Sequence, residues 1–318
     1  MSASPSRMPL IDALKAAASQ LIVLHHLAFY GPMSDVAHDL APALFKWFYE
    51  DARIAVQVFL VVGGFLAARN LAPRGVAQFT HPLPLAWNRS GRLMLPVLAA
   101  IGLAVVCAAI ARAWMPLESS VPAAPDMPQL LTHVLLLQNL LGYEALSAGV
   151  WYVAIDFQLF VLMVALLWLA RRAPAAGACR HPASVLVSAL TIASLFHFNR
   201  DAAWDNWALY FFGAYGLGVL AFWASGRERR LFWLGVVAAM GLAALLVDFR
   251  SRIAVALLVA LLLGGTRRSA VAQRRLDVRP LAFLGRISYS VFLAHYPVCL
   301  AINAAFARFA PGDPLINA

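Results

Sequence analysis

Residues 205–248 read DNWALYFFGAYGLGVLAFWASGRERRLFWLGVVAAMGLAALLVD, two long apolar runs on either side of the cluster Arg227, Glu228, Arg229 and Arg230. A hydrocarbon core about 30 Å thick takes about 20 apolar residues per helix, and it leaves no water to satisfy an irregular backbone, so runs of this kind predict helices that cross a membrane. Working outward, the same pattern predicts spans at about 12–31, 53–72, 93–114, 150–170, 183–198, 205–224, 231–248, 252–266 and 281–308. The expected fold class is therefore all-α, a polytopic transmembrane helical bundle of about nine spans, with the whole chain, 1–318, forming one domain.

Composition agrees. The chain is 62% hydrophobic and 13% charged, whereas soluble domains are about half apolar. A formal net charge of +10 could suggest nucleic acid as a partner, but the arginines cluster between apolar runs rather than along one soluble face. They read as topology signals. With a cytoplasmic N-terminus, the loops predicted inside carry Arg74, Arg89 and Arg92, then Arg171, Arg172 and Arg180, then Arg227, Arg229 and Arg230, then Arg267, Arg268, Arg274, Arg275 and Arg279. Those predicted outside hold Asp35, Asp39, Glu118, Asp126, Asp201 and Asp205, which fits the retention of basic loops in the cytoplasm. Arg7 and Lys15 precede an apolar stretch with no clean small-residue cleavage site, so an uncleaved first span is expected. The segment 127–145, interrupted by His133, Gln138 and Asn139, suits an interfacial or re-entrant helix better than a span. Cys107, Cys179 and Cys299 are scattered and read as packing residues.

Ionisable groups within spans are costly, and each is a functional candidate by default. In IDALKAAASQLIVLHHLAFYG, beginning at Ile11, Lys15 and His26 lie eleven residues apart. Three helical turns place them on one face with a rise of roughly 16 Å, and His25 points about 100° away. A neutral imidazole at His26 can serve as general base toward an acceptor hydroxyl attacking a thioester; the alternative is a histidine that only hydrogen-bonds a neighbouring helix. Arg89 and Arg92, three apart, offer two guanidinium forks suited to phosphates. His295 shares a stripe with Ser288. His133 and His197 lie near span ends or in loops, where a solvated or interfacial role is expected. No histidine or carboxylate group has metal-ligand spacing, and neither GxSxG nor a P-loop occurs.

These residues carry a resemblance. The chain resembles the acyltransferase-3 family of bacterial integral membrane O-acyltransferases, whose first helix has a basic residue, ten residues, then histidine, as Lys15 and His26 do. VFLVVGGFLAARN, ending at Asn70, is similar to the family's FFVLSGFLI, with Gly63 where serine is usual. WNRSGRLMLPVLAA resembles its arginine pair before a proline-bearing helix and carries Arg89 and Arg92. GVWYVAIDFQLFVL matches Trp151 and Gln158, with Asp156 where glutamate is usual. FLGRISYSVFLAHYPV matches Gly285, Ser288, Tyr289, Leu293, His295 and Pro297. The family commonly has a further helix after this point.

The resemblance implies an acyltransferase that moves an acyl group, acetyl in the usual case, from cytoplasmic acyl-CoA to a hydroxyl of an extracytoplasmic or lipid-linked glycan, in a bacterial inner membrane. In that reading Lys15, Arg89 and Arg92 hold the donor, His26 and Asp156 are catalytic, and Trp151, Ser288, Tyr289 and His295 line the acceptor side or cavity. Acyl-CoA is a co-substrate, and no cofactor or metal is expected to be bound. The rival reading is a polytopic transporter or flippase for a glycan or anion, because buried His and Asp also mark proton relays; it would want broken helices and repeated halves, which the sequence lacks. A catalytically dead scaffold is a third.

Overall fold

The computed structural model describes residues 8–30, 32–116, 118, 121–172, 181–310, 312 and 314–317; Arg7, Cys179 and Arg180 lie outside them. The described residues form α1 (Pro9–Phe29), α2 (Pro32–Ala37), α3 (Pro42–Glu50), α4 (Val56–Leu71), α5 (Pro82–Trp114), α6 (Met127–Val134), α7 (Val150–Arg172), α8 (Pro182–Phe196), α9 (Ala208–Gly226), α10 (Arg230–Val247), α11 (Ser251–Thr266), α12 (Ala270–Arg275), α13 (Arg279–Phe309) and α14 (Pro314–Asn317), with short 3-10 turns and no strand among them. Proline opens several of these helices, where its missing N–H costs no hydrogen bond.

Among the described residues seven helices are long and apolar enough to cross a membrane: α4 with the turn before it, α5, α7, α8 with the turn after it, α9, α10 and α13. The fold is thus all-α and polytopic. Of the nine expected spans, the other two are helices that fall short of those limits for separate reasons. Helix α11 is apolar but has 16 residues, about 24 Å at about 1.5 Å per residue. Helix α1 has 21 residues but carries Asp12, Lys15, His25 and His26. In the segment 127–145 the helix, α6, has eight residues, too few to cross a membrane as a helix. Asp126 caps it, accepting from the Gln129 amide at 2.7 Å.

By its internal contacts the chain divides into two compact units: Met1–Ala16, Val56–Ser90 and Ile155–Arg286 form the first, and Ala17–Ala55, Gly91–Ala154 and Ile287–Ala318 the second. The first is organised around α9, which is buried on all sides from Tyr210 to Ser225 and packs against α4, α8, α10 and α11. A helix apolar all round can be buried all round. Between helices in lipid the hydrophobic effect gives no drive, so close approach through small residues supplies the attraction. A Cβ on Gly64 would overlap the Tyr215 carbonyl oxygen, and one on Gly218 would overlap the Val61 carbonyl oxygen. Gly216 meets Thr191 of α8 in the same way. Gln158 of α7 caps the start of α9, its side-chain oxygen accepting from the Ala208 amide at 3.0 Å, so this motif residue has a structural duty.

In the second unit the later part of α5 packs on α13 through Ala108, Ala111, Met115, Tyr296, Leu300 and Ala304. Gly149 lets the backbone before α7 approach α13, where a Cβ would stand 2.6 Å from the Phe292 carbonyl oxygen. Buried Cys107 and Cys299 are free thiols within this packing.

Candidate active site

After Pro9 no glycine or proline interrupts α1, so the helix runs unbroken past both of its histidines. Their side chains take different partners. His25 is buried, with Nδ1 2.9 Å from the Phe48 carbonyl oxygen of α3; a carbonyl only accepts, so His25 donates and ties α1 to α3. His26 instead has Nδ1 2.8 Å from His295 Nε2 on α13 and 3.1 Å from the Ile22 carbonyl oxygen one turn back. Its ring stacks on Tyr30 with centroids 5.4 Å apart. His295 is buried, its Nδ1 2.6 Å from the Phe292 carbonyl oxygen.

What brings α1 and α13 into register is Asn303, just over two turns beyond His295. Its Nδ2 donates to the Tyr30 carbonyl oxygen at 3.0 Å, and its Oδ1 accepts from the Met33 amide at 3.0 Å. The end of α1 leaves carbonyls, and the start of α2 amides, without helical partners, and one side chain of α13 serves one of each. Sequence reasoning passed over Asn303, although a buried amide in a span, on the face of His295, is the kind of costly polar group that flags a site. Ser288 is buried and Tyr289 partly buried on the first turns of this part of α13. Trp151 lies edge-on to Tyr152, and Tyr152 packs on Phe292 with centroids 5.2 Å apart. Trp151 is thereby linked to the residue whose carbonyl holds His295.

The first unit carries its own constellation. Arg89 of α5 forms an ion pair with Asp156 of α7, and its guanidinium lies over the Phe160 ring at 5.3 Å. Asp156 also borders Gly63 and the buried Tyr215: a Cβ on Gly63 would stand 3.7 Å from Asp156 Oδ1 and 3.5 Å from Tyr215 Cε2. The sequence reading assigns Arg89 to the donor and Asp156 a catalytic role, and the structure joins the two. A carboxylate within a span requires a counter-charge, and α5 begins at Pro82, early enough that Arg89 lies a full two turns inside the helix. Arg92 is exposed, and Lys15 is partly buried three residues after Asp12. Gly285 lets α13 touch α1, a Cβ there meeting the Asp12 carbonyl oxygen at 2.5 Å.

His133 departs from expectation. It is buried rather than solvated, its Nδ1 donating to the Gln129 carbonyl at 2.7 Å and its Nε2 accepting from the Leu146 amide at 3.0 Å. That bridge pins α6 to the following loop, and burial lowers the affinity of the ring for a second proton. The spacing of the sequence does not reveal it, because the partners are set by the turn after α6. Arg74, Arg227 and Arg229, read only as topology signals, gather with His181 and Glu228 around a cleft of about 570 Å³. Among the described residues no three His, Cys, Asp or Glu side chains group as metal ligands.

Comparison with curated proteins and with solved structures gives no match. A family model described as an acyltransferase domain, that of the acyltransferase-3 family, matches residues 9–316. The match runs from the start of α1 into α14 and takes in the histidines of α1 and Asn303 of α13, and on that ground the chain belongs to the acyltransferase-3 family and is a multi-pass membrane acyltransferase.

Proposed function

We propose that the protein transfers an acyl group, acetyl in the first instance, from cytoplasmic acyl-CoA to a hydroxyl of an extracytoplasmic or lipid-linked glycan, with His26 as general base. The observation that carries the reading is the hydrogen bond between His26 and His295, two imidazoles from separate helices meeting within a membrane protein. Side chains this costly at such depth are rarely kept for packing alone. His26 takes the proton of the acceptor hydroxyl while the hydroxyl oxygen attacks the thioester carbon; the carbon–sulfur bond breaks, and the thiolate receives the proton. Ester and thiol are the products, and nothing is oxidised or reduced.

Lys15, Arg89 and Arg92 are proposed to meet the phosphates of the donor, for which the planar guanidinium fork is suited. Asp156 enters as the carboxylate that orients Arg89. Trp151, Ser288, Tyr289 and His295 are proposed for the acceptor side. The protein is assigned to a bacterial inner membrane with its N-terminus in the cytoplasm, because the short arginine-rich loops then all fall inside.

The test is acyl transfer by purified wild-type, His26→Ala and His25→Ala proteins at fixed acetyl-CoA, with a surface glycan preparation from a deletion strain as acceptor. Removing a general base costs about 10²–10⁴ in rate, so His26→Ala is expected to fall below detection and His25→Ala, which loses the bond to Phe48 and ring packing, to keep substantial turnover. Ready turnover by His26→Ala refutes the assignment.

A further inference from the structure

We propose that His295 is a positioning residue that fixes the tautomer of His26, so that His26 presents Nε2 as its proton-accepting nitrogen. The inference rests on the base assignment above and adds to it the atom that does the work. It follows from hydrogen-bond roles alone. A backbone carbonyl oxygen can only accept, so the 2.6 Å contact between His295 Nδ1 and the Phe292 carbonyl requires a proton on that nitrogen. A neutral imidazole has one N–H, which leaves a lone pair on His295 Nε2. His26 Nδ1, 2.8 Å from that lone pair, must supply the hydrogen of the contact, and the same nitrogen lies 3.1 Å from a second acceptor, the Ile22 carbonyl. Two acceptors face His26 Nδ1 and no donor does among the described residues. The ring proton of neutral His26 therefore sits on Nδ1, and its lone pair on Nε2.

The result is a directed chain. The Phe292 carbonyl accepts from His295 Nδ1–H, His295 Nε2 accepts from His26 Nδ1–H, and His26 Nε2 is left to accept from the substrate hydroxyl. The Ile22 carbonyl holds the tautomer less firmly, because its contact with His26 Nδ1 is the longer of the two, 3.1 Å against 2.8 Å to His295. His295 is itself held in place, its Nδ1 donating to the Phe292 carbonyl at 2.6 Å. When the hydroxyl proton reaches Nε2, His26 becomes an imidazolium and its Nδ1–H bond to His295 becomes charge-assisted. His295 thus does, as a neutral ring, what a carboxylate does for the histidine of a catalytic triad: it orients the base and steadies its charged form. The proton then leaves from Nε2 to the departing thiolate, and both rings return to their starting tautomers. Asn303 supports the chain by holding the end of α1 to α13.

Two measurements test this. Nitrogen NMR of purified protein carrying isotope-labelled histidine, with the His26 signal identified by its loss in His26→Gln, is expected to show His26 protonated on Nδ1 at a pH where both rings are neutral. A His26 protonated on Nε2 overturns the proposal, and this readout needs no variant of His295 that folds. In acyl-transfer kinetics, His295→Leu, which keeps bulk but offers no acceptor, is expected to lower kcat by about 10²-fold or more with the acetyl-CoA KM nearly unchanged. His295→Gln places an acceptor oxygen near the position of Nε2 and is expected to recover activity to within about tenfold of wild type. Equal impairment of the two variants, or near-normal turnover by His295→Leu, refutes positioning by His295 while leaving His26 as base. Turnover by His26→Ala refutes the base assignment itself.

Discussion

Breaking the Arg89–Asp156 pair from either side should cost different amounts, and the structure says which side is worse. Asp156 is the more buried partner, with 15% of its side chain exposed against 39% for Arg89. Arg89→Met removes the guanidinium but keeps much of the stem, and it strands a carboxylate that has little access to water. Asp156→Asn leaves a guanidinium that can still turn toward solvent and still rests on the Phe160 ring. Removing one partner of a buried pair costs about 3–5 kcal/mol, while an exposed pair is worth about 0–1 kcal/mol. Arg89→Met, which leaves the buried charge, should fall near the lower edge of the first range, about 2–3 kcal/mol after discounting for the open side of the pair. Asp156→Asn should cost about 1 kcal/mol. The double variant carries neither charge and should be more stable than Arg89→Met alone, because the stranded carboxylate is gone. The assay is thermal unfolding of the purified proteins in one detergent at neutral pH, where each kcal/mol shifts the midpoint by roughly 2–4 °C. Equal shifts for the two single variants, a larger loss in Asp156→Asn, or strict additivity in the double would refute the reasoning.

Adjacent glycines of α4 should respond differently to the same methyl group. Gly64→Ala drives a Cβ into the Tyr215 backbone, which has no side-chain freedom to yield, and should cost about 1–3 kcal/mol or more; Gly63→Ala makes only ordinary contacts and should leave the melting temperature nearly unchanged. Similar melting by both would contradict the close crossing of α4 and α9. A single cysteine at Ser269, in a chain with Cys107, Cys179 and Cys299 replaced, should resist an impermeant thiol reagent in intact cells and react once the membrane is opened, since the loop between α11 and α13 is arginine-rich. Strong labelling from outside would invert the topology.

How far the sequence could be read depended on the range of the interaction. The runs that became α4, α5, α7 to α10 and α13 are visible because length and polarity are local properties of a segment, and the lipid tests them one helix at a time. That His25 and His26 face different ways was also local, needing only helical geometry, and the two residues do take different partners. What could not be read was who pairs with whom. Arg89 and Asp156 stand 67 residues apart and His26 and His295 269, and no periodicity links such positions. The same holds for Gly64, whose need for hydrogen in place of a methyl is set by the Tyr215 carbonyl of another helix. There is a physical reason why these long-range pairs coincide with the candidate site. In a hydrocarbon interior a polar side chain must find a partner on a neighbouring helix or be lost to the bilayer's penalty. A sequence therefore announces that Arg89, Asp156, His26, His295 and Asn303 need partners well before it can say which. In the proposed mechanism these pairings bear on the chemistry, because the neighbour at Nδ1 of His26 determines which of its nitrogens is left to accept a proton. On the proposed reading the unit of function is the hydrogen-bonded pair rather than the single conspicuous histidine, and a variant that preserves His26 while removing the acceptor on His295 separates the two.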